Sequence, residues 1–163
     1  MDSPPVDLDA LMPAEHMTGD DAEDTELLKK MLETATHYIR GFRWCPGIDR
    51  VYLGYGVGGV VAVFLFHFQE KIDGTEEWLW VIVGDLPSAY LVVVDGPKDA
   101  PAALRVYCEL MEDWANAILN GQPLDDHFPV EAKPTPNNAT SLLNRLDFIK
   151  SELLPPLQEV GEE

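Results

Sequence analysis

The stretch that decides the fold is Gly59-Val-Val-Ala-Val-Phe-Leu-Phe-His-Phe68. Most of its side chains are β-branched or aromatic, which suits the pleated surface of a β-sheet. Side chains alternate between the two faces of a strand, and here the residues on both faces are apolar. This pattern predicts a central strand that is covered on both sides, or one whose second face is kept for a partner.

Three more apolar runs lie around this strand, at residues 48–56, 77–83 and 90–94. The links between the later strands carry turn residues, as in Asp73-Gly74 and Gly84-Asp-Leu-Pro-Ser88. None of the links has room for a crossover helix. The sequence therefore predicts a four-stranded antiparallel meander whose strand order follows the chain.

Apolar residues at helical spacing predict a helix before the sheet, at about residues 24–41. A second helix is predicted at about residues 100–120, where Asp99 is placed to cap its start. A third begins at Thr135-Pro136 and ends before Pro155-Pro156. We therefore expect an α+β fold with an N-terminal helix, a four-stranded antiparallel sheet and two C-terminal helices.

The length of 163 residues favours one domain, which we place at residues 23–155. Residues 1–22 are acidic and proline-containing and are expected to be mobile, and residues 156–163 form an acidic tail. The N-terminus lacks the basic region of a signal peptide, and no apolar run is long enough to span a bilayer. The two cysteines make no disulfide framework. These features predict a cytoplasmic protein.

The charge is unusual, because 29 acidic residues face 11 lysines and arginines and give a formal net charge of -18. Such a chain repels the phosphates of nucleic acids and anionic membrane surfaces, so neither is an expected partner. The acidity serves solubility, or it docks a basic protein partner. The candidate docking residues form one acidic run without lysine or arginine: Asp20, Asp21, Glu23, Asp24 and Glu26.

No catalytic constellation is evident, and the run Asp125-Asp126-His127 lacks the second cluster that a metal site needs. We therefore expect no metal and no cofactor. The leading hypothesis is a non-enzymatic protein-binding module of immunity or chaperone type. One alternative is a small enzyme or ligand-binding domain that uses the turn at residues 84–90, with a pocket rim of Trp44, Asp85 and Tyr90. The other is a structural homo-oligomer.

A homodimer is also expected from the amount of apolar surface on the sheet. The three predicted helices are not expected to cover both faces of the sheet. The candidate uncovered surface comprises Trp78, Trp80 and the second face of the strand at residues 60–68. Large exposed apolar patches mark interfaces.

Several short motifs are shared with a known family: the Gly84-Asp-Leu-Pro87 turn, Trp114, Gly121, Pro123, Asn138-Ala139, Arg145-Leu146 and Phe148. With these residues, the chain resembles a family of small bacterial proteins whose function is unknown. The resemblance covers about residues 27–154. It implies a bacterial cytosolic domain and assigns no activity and no functional residue.

Overall fold

The chain folds as an α+β protein, which confirms the predicted class. The computed structural model describes residues 5–72, 74, 76–124, 130 and 132–156. Its strands are β1 (Met12–Pro13), β2 (Ile48–Val57), β3 (Val61–Ile72), β4 (Glu76–Gly84) and β5 (Leu86–Val92). Its helices are α1 (Ala22–Arg40), α2 (Ala100–Leu119) and α3 (Pro136–Phe148), and a π-helical turn at Ile149–Leu153 follows α3. The chain divides into two compact units, residues 1–103 and 104–163.

The sheet is an antiparallel meander in the order β1-β2-β3-β4-β5, which confirms the predicted topology. It has five strands rather than the predicted four. The additional strand is β1, where Met12 and Pro13 pair with Leu53 and Tyr52 of β2. Met17 also packs into the core, so the fold begins earlier than the predicted boundary at residue 23.

Strand β3 is the centre of the sheet, as the sequence predicts. Every side chain from Val61 to Phe66 has an exposed fraction of 0%. The expectation that Trp78 and Trp80 lie on an uncovered surface is wrong, because their exposed fractions are 8% and 0% within a single chain. The homodimer stays a prediction, and these two residues offer it no open surface.

Helix α1 covers one face of the sheet. Its buried residues Leu28, Met31, Ala35 and Ile39 recur at intervals of three and four, which places them on a single stripe. The stripe packs on apolar side chains from three strands: Leu53, Ala62, Phe64, Phe66, Phe68, Leu79, Val81 and Val83. Burying a side chain such as phenylalanine contributes about 1.5–3 kcal/mol, so this interface is a main source of stability for the first unit.

The link between β4 and β5 is tighter than predicted. Gly84 pairs with Leu86, so Asp85 alone separates the two strands, and β5 begins at Leu86 rather than at Tyr90. Gly84 has a positive φ of 153°, and a Cβ there would overlap the Val60 carbonyl group. Pro87 lies inside β5, which is tolerated because β5 is an edge strand and proline has no N–H to donate.

In the second unit, α3 begins as the sequence predicts. The Thr135 hydroxyl accepts a hydrogen bond from the Asn138 backbone N–H at 3.2 Å, and Pro136 is the first helical residue. Lys150 Nζ of the π-helical turn lies 2.8 Å from Glu112 Oε1 of α2. This ion pair links α2 to the turn that follows α3, although the two segments are far apart in the sequence.

Asp24 joins the start of α1 to the hairpin between β2 and β3. Asp21 caps the helix, since its Oδ1 accepts from the Asp24 N–H at 2.8 Å. The Asp24 carboxylate in turn accepts from the N–H groups of Asp20, at 2.9 Å, and Gly58, at 2.7 Å. The first two contacts form a variant of the capping box, and the third fixes the hairpin against the helix.

We predict that Asp24→Ala lowers the free energy of unfolding by about 1–2 kcal/mol, because two backbone N–H groups lose their acceptor. The matched control is Glu23→Ala, which removes the same charge at an exposed neighbouring position. Urea unfolding of the two variants measures the difference. Equal midpoints for both would show that the contact to the hairpin contributes nothing.

Candidate functional site

The most prominent exposed feature of the first unit is a cluster of aromatic rings that ends at the edge strand β5. We call Tyr38, Phe42, Trp44, Tyr90 and Val92 the aromatic patch. The exposed fraction is 37% for Trp44 and 45% for Val92, whereas most large apolar residues of the unit are buried. Solvent therefore reaches a surface made of large apolar side chains.

The rings of the aromatic patch hold one another in place. The Phe42 ring stacks on the Trp44 ring with centroids 5.0 Å apart, and Tyr90 meets both rings edge-on at 5.2 Å. Tyr38 packs edge-on against Phe42 at 5.3 Å, one helical turn earlier. Such offset and edge-to-face pairs are the favourable arrangements of aromatic rings.

The local sequence explains how the aromatic patch forms. Helix α1 ends at Arg40 and Gly41 is its C-cap, so the chain turns at once and brings Trp44 back beside the helix. Tyr90 is the β5 partner of Val81, which lies on the sheet face that α1 covers. Val92, two residues further, lies on the same face.

The predicted pocket rim is formed only in part. Trp44 and Tyr90 are in contact, as the hypothesis requires. Asp85 lies in the β4–β5 turn, where its N–H donates to the Val60 carbonyl at 3.0 Å. A pocket rim that includes all three residues stays a prediction.

The acidic run at the start of α1 has a structural role that the sequence did not reveal. Asp21 and Asp24 accept backbone hydrogen bonds, and Glu26 forms an ion pair with Lys29 at 3.3 Å. Asp20 and Glu23 are exposed. Of the five acidic residues expected to bind a partner, these two are the ones whose side chains take part in none of these contacts.

A polar cluster surrounds His67 of β3. His67 Nδ1 lies 2.8 Å from Asp49 Oδ2, and Nε2 lies 3.9 Å from Glu77 Oε2. The imidazole also packs on the Trp78 ring, with centroids 4.2 Å apart. A general base needs one ring nitrogen that is open to substrate, and here a carboxylate faces each nitrogen. The arrangement is typical of a structural polar cluster at the sheet surface.

No group of three potential metal ligands occurs in the part of the chain that the structure describes. Asp125, Asp126 and His127 lie outside the described residues. No helix in the described ranges is long and apolar enough to cross a bilayer.

Two cavities lie along the flank of α1 that carries Leu32, Thr36 and Arg40. The first, of about 500 Å³, extends from this flank to β1 and β2. The second, of about 400 Å³, follows the helix surface itself. Tyr38 of the aromatic patch is two positions away from both Thr36 and Arg40, which places it on the opposite side of the helix.

Comparison with known proteins returned no match to a family model, to a curated protein or to a solved structure. The resemblance through the Gly84-Asp-Leu-Pro87 turn therefore stays a prediction.

We predict that neither cysteine is reactive in the folded protein. Burial raises the pKa of the Cys45 thiol, although the charge of Arg40 opposes the shift. Burial, with the nearby Glu112 carboxylate, raises the pKa of Cys108 to about 12. Because the thiolate is the reactive form, both groups have less of it at pH 8 than a free cysteine has. Titration with Ellman's reagent should show slow reaction at Cys45, and at Cys108 only after unfolding. Rapid reaction of the native protein that Cys45→Ser abolishes would contradict this.

Proposed function

We propose that the chain is a non-enzymatic protein-binding module, and that the aromatic patch is its contact surface. The observation that carries this proposal is the exposed ring of Trp44, which packs on the rings of Phe42 and Tyr90. Tryptophan and tyrosine are enriched among the residues that dominate binding energy in protein interfaces. Contact between these apolar rings and water is unfavourable in the free protein, and a partner that covers the rings removes this contact.

The side chains of the aromatic patch are already held in one conformation, which also favours binding. A side chain that is already held in one conformation loses little entropy when a partner covers it. Trp44 is stacked on Phe42 and bounded by Tyr90, so its ring is positioned before any partner arrives. The patch therefore has the properties of a preformed anchor for a complementary surface.

The net charge of -18 supports a basic partner. Opposite net charges steer two proteins together and raise the association rate. Exposed Asp20 and Glu23 contribute to this field. At short range, a lysine or arginine of the partner is attracted to the face of a tryptophan or tyrosine ring, so Trp44 and Tyr90 suit the same partner.

The two other hypotheses have less support. The enzyme or ligand-binding alternative requires Asp85, Trp44 and Tyr90 around one pocket, and its support is limited to the contact between Trp44 and Tyr90. The structural homo-oligomer relied on uncovered Trp78 and Trp80, which are buried. The aromatic patch needs neither assumption.

We predict that the double change Trp44→Ala and Tyr90→Ala weakens binding of the partner at least tenfold, or about 1.4 kcal/mol. The immobilised protein is used to capture partners from a lysate of its own organism, and the affinity of the purified partner is then measured by calorimetry. The matched control is Phe148→Ala, which truncates another exposed aromatic residue in the second unit. A partner that binds the double variant and the wild type equally well would refute the aromatic patch as the contact surface.

We also predict that the association rate falls steeply as salt rises, since exposed charges are screened beyond about 8 Å at physiological ionic strength. Deletion of residues 1–26 is not a suitable test, because Met17, Asp21 and Asp24 belong to the fold. The double change Asp20→Lys and Glu23→Lys should instead slow association at low salt and flatten the salt dependence. The comparison variant reverses Glu109 and Asp113 of α2. A salt dependence that neither variant changes would rule out electrostatic steering.

A further inference from the structure

The outer edge of β2 is only partly occupied. Strand β1 pairs with Tyr52 and Leu53, and the chain then continues as a 3-10 turn at Ala14–His16 that contacts β2 without pairing with it. The preceding residues, 48–51, belong to β2 and pair on their inner side with β3. Among the strands that the structure describes, none pairs with these residues on the outer side. A strand edge of this kind presents N–H and C=O groups that can pair with another chain.

A cavity of about 500 Å³ lies along this edge, and we call it the β2 groove. Four elements line it: Pro13 of β1, Ala14 and Glu15 of the 3-10 turn at Ala14–His16, Leu32, Thr36 and Arg40 of α1, and Ile48, Asp49, Arg50, Val51 and Tyr52 of β2. Successive residues of a strand point to opposite faces of a sheet. A cavity that five consecutive strand residues line must therefore follow the backbone edge rather than one face.

We propose that the β2 groove binds an extended peptide segment of another protein, which adds to β2 as a strand in line with β1. This is the β-augmentation mode, in which backbone hydrogen bonds provide affinity and side-chain pockets provide specificity. The open part of β2 is four residues long, or about 13 Å at the rise of an extended strand. A short linear segment of a partner is long enough to fill it.

The lining predicts the side chains of the peptide. Leu32, Ile48 and Val51 pack against the core and form an apolar part of the lining. Two arginines, Arg40 and Arg50, line the groove together with two acids, Glu15 and Asp49. A peptide with one apolar side chain and one carboxylate therefore complements the groove.

The nearby acids do not neutralise Arg40. Asp49 contacts His67 at 2.8 Å. The pKa of Arg50 is raised by its hydrogen bond to Tyr52 and by the charges of Asp49 and Glu15, so these acids act on Arg50. Arg40 lines the groove from α1, and no carboxylate of the described residues lies within ion-pair distance of it. Arginine pairs well with carboxylates, so Arg40 is the expected contact for the acid of the peptide.

The β-bulge at Asp49 offers a competing interpretation. The pairing of β2 with β3 shifts register between Ile48 and Arg50. Bulges and charged side chains are also devices that protect an edge from pairing with other chains. The bulge concerns the inner pairing, whereas the lined cavity on the outer side provides space for a strand. The two interpretations differ in whether peptides bind, so one experiment separates them.

The test uses the full-length protein and short linear peptides selected from a phage-displayed library. We expect selected peptides that alternate apolar residues and contain an acid, and we expect Arg40→Glu to weaken their affinity at least tenfold in calorimetry. The matched control is Lys30→Glu, which makes the same change of charge at an exposed position of α1 outside the groove. Bound peptide should also slow amide hydrogen exchange within residues 48–51.

Equal affinity of the Arg40→Glu and Lys30→Glu variants would overturn the proposal, and so would a library that yields no binding peptide. Exchange that slows elsewhere while residues 48–51 stay unchanged would do the same. If acetate displaced the bound peptide at the same concentration as a free peptide does, the groove would be a site for small anions instead. Because the groove and the aromatic patch lie on opposite sides of α1, Trp44→Ala should leave peptide affinity unchanged. This variant separates failure of the groove from failure of the proposed contact surface.

Discussion

The structure depends on one constraint, which is that β3 is apolar on both faces. Residues from Val61 to Phe66 are fully buried, so both faces of the sheet centre are kept from water within one chain. On one face the cover is α1, whose stripe from Leu28 to Ile39 packs on the phenylalanines of β3. Asp24 then fixes the start of that helix to the hairpin that precedes β3. The position of α1 in turn determines where its last turn places Tyr38 and where the chain leaves the helix towards Phe42, and therefore where the aromatic patch lies.

Much of this fold was readable from the sequence, because the strands of the meander have strong patterns. The run from Gly59 to Phe68 and the short links sufficed for the topology. Strand β1 was missed because two residues, one of them Pro13, carry no periodic signal. The start of β5 was placed too late because Pro87 was taken as part of a turn, although an edge strand tolerates proline.

The candidate site was less predictable, because it depends on contacts between distant residues. The sequence predicts Trp44 and Tyr90 on one pocket rim, and the two rings are in contact. The place of Asp85 on that rim stays a prediction, because a sequence does not show which side chains meet across the fold. The acids at the start of α1 were interpreted as surface charge, since a sequence shows the charge of Asp24 but not the Gly58 N–H that it binds.

The proposed binding function rests on the aromatic rings held at the sheet edge and on the strongly acidic chain. The most direct test of the aromatic patch as the contact surface is site-specific photo-crosslinking, with a photoreactive amino acid in place of Val92 in one variant and of Phe148 in another. The account predicts that position 92 crosslinks to a basic partner, and that adding Trp44→Ala removes this product. Crosslinks from position 148 with none from position 92 would contradict it.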